Sequence, residues 1–197
     1  MEMYQKINYI LIRIYIVMTF LLYGHVSGYG KSLKVQLLEG EIRAGYTLPV
    51  GSYHSGKPEI SMCLGLEGRY NIPRTAWDGG VMLELSSARR KYCFQEDKRS
   101  NIWQGNRTLA FALTGAYNLR QGHKMNPFVG IGVGVGVHDI VGDDVFPSHG
   151  ASGFFSPRIG IEMFHHIRFS LATNLSRKGY NNLALSIGIV LGGRRKN

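Results

Sequence analysis

Helical periodicity is missing from this 197-residue sequence. After residue 30 no stretch keeps a helical apolar period for more than two turns, so strands are the expected building element. Charged residues make up only 18% of the chain. No internal repeat, low-complexity tract or linker marks a second folded domain. None of the usual nucleic-acid motifs accompanies the net charge of +10, and the basic residues form no single helical stripe. Nucleic acid is therefore not an expected partner, and the charge suits lipid headgroups or lipopolysaccharide phosphates instead. The only cysteines are Cys63 and Cys93. A hairpin turning near Arg74–Thr75 would set Cys63 opposite Ser86 and leave Cys93 several residues beyond, so both thiols are expected to be free.

Glycine, by contrast, is plentiful at 26 residues. Between Asn126 and Asp144 it recurs at every second position: Gly130, Gly132, Gly134 and Gly136. A phosphate-cradling loop needs a further glycine three residues on, where Val135 or Val137 stands, and no Gly-Lys-Ser/Thr follows. What is present is a strand period, with Val129, Ile131, Val133, Val135 and Val137 on one face. The bare face is read as room for long Arg and Glu side chains from other walls.

Eight stretches carry this period: Gly40–Leu48, Glu59–Tyr70, Gly79–Ser87, Thr108–Leu119, the glycine-rich segment, Ser156–Phe164, Ile167–Leu175 and Asn182–Gly192. Each has about the length at which a tilted strand crosses a bilayer. Connections 71–78, 120–126 and 165–166 are tight, whereas 49–58, 88–107, 138–155 and 176–181 include the longer, more polar ones. Short turns on one side and long loops on the other are the rule for outer-membrane barrels.

The polar face decides between a membrane barrel and a soluble one. In water that face should carry lysines, yet all nine lysines fall outside the eight stretches. It holds Gly, Ala and Ser, interspersed with Glu41, Arg43, Glu67, Arg69, Glu84, Arg158, Glu162 and Arg168. These eight are expected to form a paired charge network in a narrow, filled lumen. Leu64, Leu113 and Ile187 are expected to face lipid. Two aromatic bands are expected at its edges. Tyr70, Trp77, Tyr117, Phe128 and Phe164 would form the periplasmic one, and Tyr53, Tyr92, Trp103, Phe155 and Tyr180 the outer one.

The N-terminus reads as a secretory signal. Lys6 and Arg13 supply charge, Ile10–Gly24 an apolar stretch and His25–Gly28 small residues for cleavage. Residues 1–28 are assigned to the signal peptide, removed on export, and 29–197 to the barrel domain. Signal, amphipathic strands, charged lumen and the closing Tyr180–Gly193 together resemble the small outer-membrane β-barrel proteins, the class of OmpX and the OmpA transmembrane domain. The resemblance covers about residues 35–193 and implies an all-β, eight-stranded, antiparallel up-and-down transmembrane barrel. Many members of that class end on an aromatic residue, whereas this chain ends Gly192–Asn197.

Enzymes occur among such barrels. The lipid A deacylases resemble one another in a His-x-Ser pair on one strand, but here Arg168 stands where that histidine would precede Ser170. His138, Asp139, Asp143, Asp144 and His149 share one expected external loop, yet their spacing matches no established cation site. His165 and His166 share a tight turn, in which adjacent side chains diverge. Ala88–Ser100 carries five basic residues, suited to lipopolysaccharide phosphates at the outer leaflet. The resulting expectation is a monomeric, non-enzymatic barrel of a Gram-negative outer membrane, without catalytic, cofactor or metal residues. Its partners would be outer-membrane lipid and lipopolysaccharide, and its role structural or surface-interacting. The competing readings are a lipid A-modifying enzyme, a narrow channel and a soluble periplasmic lipid-binding barrel.

Overall fold

The computed structural model describes residues 36–51, 57–93, 101–142, 149–177 and 179–192; the side chains of 92–93, 101–104 and 141–142 fall outside that description. Within it the chain forms eight strands. They are β1 (Leu38–Pro49), β2 (Lys57–Glu59 and Ser61–Asn71), β3 (Trp77–Cys93), β4 (Asn101–Asn118), β5 (Met125–Gly142), β6 (Gly150–Met163), β7 (Ile167–Asn174) and β8 (Asn182–Leu191). Each pairs antiparallel with the next, and β8 closes back on β1, opposing Ile42 with Ile189. The fold is a closed up-and-down barrel, in which every strand among the described residues has a partner on both sides.

The pairing register fixes the barrel's shape. A path across the strands from Glu39 meets Arg69, Gly80, Thr114, Gly132, Ser156, Asn174 and Asn182, and re-enters β1 at Pro49, ten residues further along. Every side chain on that path belongs to the inner face. A ten-residue stagger over eight strands tilts them by roughly 40° from the axis, a tilt typical of closed barrels. One irregularity interrupts the ladder. Glu59 faces Arg89 and Cys63 faces Ser86, so four steps on β2 match three on β3, and an extra residue bulges at Ile60–Met62.

Strict alternation then sorts the side chains. Along β2, Cys63, Glu67 and Arg69 are buried, while Met62, Leu64 and Leu66 are exposed. Leu113 is 65% exposed and Ile187 49%, both in the middle of an apolar outer belt. Cys63 faces Ser86 and is a free thiol; the Cys93 side chain lies outside the described residues.

Four strands run further than their apolar alternation predicts. β3 continues to Cys93, β4 begins at Asn101, β5 ends at Gly142 and β6 begins at Gly150. The hydrogen-bonded ladder needs no apolar side chain to continue, so polarity marks the end of the belt and not the end of the strands. Lys57 and Lys91 consequently lie within strands, above the belt, which corrects the expectation that every lysine lies outside them.

The glycine row also needs correcting. A Cβ at Gly134 would fall on the Phe111 carbonyl and 2.6 Å from Ala112 Cα, and one at Gly132 would meet Met82 Cε at 3.3 Å. The bare face of β5 admits the neighbouring backbone and Met82, not Arg and Glu. Glycines that do face charged lumen chains include Gly65, where a Cβ would meet Arg43, and Gly188, where it would meet Glu41. Gly134→Val is expected to destabilise the barrel by about 1–3 kcal/mol, the range for overpacking. Urea unfolding in detergent micelles, followed by tryptophan fluorescence, checks this; an unshifted midpoint would mean that β4 and β5 separate freely.

At the tight-turn end Tyr70, Trp77 and Phe164 are exposed, and Trp77 meets Tyr117 edge-on at 5.1 Å. Phe155 is exposed toward the long-loop end. Two assignments fail. Phe128 is 2% exposed because it shares parity with the inward glycines of β5, and Tyr180 is 6% exposed because its ring turns in over His138. Tyr53 and the side chains of Tyr92 and Trp103 lie outside the described residues.

Candidate functional site

All eight charged residues named from the alternating face project into the lumen, and each is at most 7% exposed. They come from β1, β2, β3, β6 and β7 and converge along the barrel axis.

Glu67 is the hub. It accepts Arg43 Nη1 at 2.7 Å, both terminal nitrogens of Arg158, and the Thr114 hydroxyl at 3.1 Å. A paired guanidinium–carboxylate fork of this kind is the strongest common charge-assisted bond. Arg43 also reaches Glu84 at 2.7 Å and the Met82 sulfur at 2.6 Å. Asn174 donates to the other Glu84 oxygen at 2.5 Å.

Toward the tight-turn end the contacts lengthen. Arg69 lies 3.1 Å from Glu39, 3.5 Å from Glu162 and 3.7 Å from Glu41. Arg168 lies 3.8 Å from both Glu41 and Glu162, and its guanidinium carbon sits 3.5 Å above the Phe128 ring. A cation over an aromatic face gains quadrupole attraction without a hydrogen bond. The inward position of Phe128 thus supports the network.

Amide side chains seal that end. Asn118 donates to Asp78 at 2.6 Å, Asn126 to Asn118 at 3.0 Å and Gln121 to Asn71 at 3.3 Å. The cavity among Glu39, Arg69, Asn71, Asp78, Asn118 and Glu162 holds about 10 Å³. That is room for about one water. A far larger hollow, about 360 Å³, lies on the outer wall between Ile42, Leu66, Val81 and Phe111.

Glu39, Asp78 and the asparagines were missed in the sequence because they lie one residue beyond the apolar alternation or carry no charge. Their signal was parity: Glu39 and Asp78 stand an even number of residues from Glu41 and Glu84.

Reactive side chains are tied up otherwise. Ser170 is 8% exposed and shares a 3.0 Å hydrogen bond with Ser186. His138 and Asp139 point to opposite faces, as strand neighbours must. His138 is fully buried inside, while Asp139 lies outside, 3.3 Å from His149. They cannot share a cation, and Asp143 and Asp144 lie outside the described residues.

His138 does touch a serine, Ser152, with Nε2 2.6 Å from its hydroxyl. That hydroxyl also lies 3.2 Å from the Gly153 carbonyl. Nδ1 lies 3.1 Å from the Thr108 hydroxyl, so both ring nitrogens of the buried imidazole have hydroxyl partners.

No protein-family model matches the sequence, and no curated protein sequence matches it. Solved structures do. Neisserial surface protein A matches over 81% of this chain and 99% of its own, with a TM-score of 0.53 at 9% identity. The chain has the fold of the small outer-membrane β-barrels. Ail of Yersinia pestis, solved as an outer membrane protein in a phospholipid nanodisc, matches over 78% of this chain and 99% of its own, with 14% identity and a TM-score of 0.47. The N-terminal barrel domain of Pseudomonas aeruginosa OprF covers 80% of this chain and all of its own, with 12% identity and a TM-score of 0.43.

Proposed function

We propose that this chain is an integral protein of a Gram-negative outer membrane, non-enzymatic, acting through its surface loops or as a structural element of the wall. One observation carries the reading: the barrel is inside-out. Leucine, isoleucine and valine cover its exterior, whereas Glu67, Arg43, Arg69, Arg158 and Arg168 fill its interior. A soluble lipid-binding barrel needs the reverse. In a bilayer every strand polar group must be satisfied within the wall, and closure of β8 on β1 achieves that.

A lumen packed with ion pairs and sealed by amides at one end speaks against a channel. The partner of Ser170 is the Ser186 hydroxyl and not a histidine, which speaks against hydrolysis. The export signal assigned to residues 1–28 lies outside the described residues.

The protein is expected to fractionate with outer membranes, to resist carbonate extraction and to run differently on SDS gels before and after boiling. A closed barrel stays folded in cold SDS because no local opening exposes a satisfied strand. Recovery as a detergent-free soluble monomer with one gel band would overturn the reading.

A further inference from the structure

Above the apolar belt, the outer face of the β2–β4 wall changes character. The last leucine pair is Leu85 opposite Leu109, and the next outward pair is Ser87 opposite Arg107. Beyond it Arg89 stands opposite Glu59, and Lys91 opposite Lys57. Residues opposed across strands point to the same side, so Lys57, Arg89, Lys91 and Arg107 share one outer patch.

The charges in this patch are unequally answered. Arg89 Nε lies 3.2 Å from Glu59, and Asp139 stands across from Arg107 while contacting His149. Lys57 and Lys91 face each other directly, and among the described residues no carboxylate lies within ion-pair distance of either. Like charges directly opposed destabilise a sheet unless an anion joins them. With a rise of about 3.3 Å per residue and a tilt near 40°, the four cations sit roughly 5–15 Å beyond the last leucine pair. In a bilayer that is the level of the headgroups.

We infer that Lys57, Arg89, Lys91 and Arg107 bind the phosphate of a phosphorylated lipid in the leaflet on the long-loop side. The inference rests on the membrane reading above. The two lysines supply point charges to one dianionic group, which relieves their repulsion. Arg89 stands beside them on the same outer face, paired with Glu59, and adds positive charge to the patch. The headgroup is bound from the side, by the wall, so its acyl chains lie along the leucines below.

The test uses the full protein in phosphatidylcholine nanodiscs doped with bisphosphorylated or fully dephosphorylated lipid A, with retained lipid counted by native mass spectrometry. The phosphorylated form should be retained and the dephosphorylated form lost. Lys57→Gln with Lys91→Gln should lower retention about tenfold or more, two basic groups being removed at the membrane surface. Lys57→Arg with Lys91→Arg should keep it, and Glu59→Gln should raise it by removing the competing carboxylate.

Band shifts on unboiled SDS gels confirm that each variant is folded. Equal retention of both lipids, or retention unchanged in the double glutamine variant, overturns the proposal. Displacement of the lipid by equimolar glucosamine phosphate also overturns it, assigning the patch to a soluble ligand. A protein that never enters the nanodisc refutes the membrane reading itself, a separate result.

Discussion

Glu67→Leu is expected to cost the folded barrel about 3–5 kcal/mol, the range for removing one partner of a buried ion pair. Glu67 is 3% exposed and accepts from Arg43, Arg158 and Thr114 together. Without it Arg43 keeps Glu84, but every ion pair of Arg158 among the described residues is with Glu67. A guanidinium is then left buried in the lumen without an ion-pair partner among the described residues, and the cavity at the tight-turn end has room for about one water. Glu67→Gln retains an acceptor for Thr114 and should lose less.

The control is Glu59→Ala at the exposed pair with Arg89, where about 0–1 kcal/mol is expected because solvent screens both groups. Urea unfolding of protein refolded in micelles measures all three. A wild-type midpoint for Glu67→Leu would mean that the lumen arginines are solvated and the interior is an open aqueous pore.

Leu113→Arg carries the second large effect. Leu113 is 65% exposed, and in water arginine there would be nearly neutral, within about 0.5 kcal/mol. In a bilayer the same change is expected to cost about 2–4 kcal/mol near the midplane, falling toward the interfaces. Leu64→Arg and Ile187→Arg lie at similar depth and should behave alike. Arg107 and Arg89, natural arginines on the same face, lie beyond the last leucine pair, where that cost has faded. The measurement is unfolding free energy in lipid vesicles compared with mild detergent. Values under about 0.5 kcal/mol at all three sites would place the outer face against water.

Much of this was legible in the sequence. Side chains two residues apart share a strand face, so parity alone assigned Glu41, Arg43, Glu67, Arg69, Glu84, Arg158, Glu162 and Arg168 to one surface and Leu64, Leu113 and Ile187 to the other. Parity also held where it was overlooked: Phe128 had to point inward with Gly130, and His138 away from Asp139. Strand ends were less legible. Above the belt the outer face turns polar at Ser87 and Arg107 while the backbone ladder continues, so apolar periodicity stopped short of Cys93 and Asn101.

What the sequence by itself determined was the period, the two faces and the inventory of lumen charge, because these depend only on residues close together in the chain. Which charges meet was decided by the tertiary structure alone. Arg158 finds Glu67 across 91 residues, and Asn174 finds Glu84 across 90. Those meetings depend on the ten-residue stagger accumulated over eight seams. A slip of two residues at any seam would preserve every face and hand Arg158 a different partner.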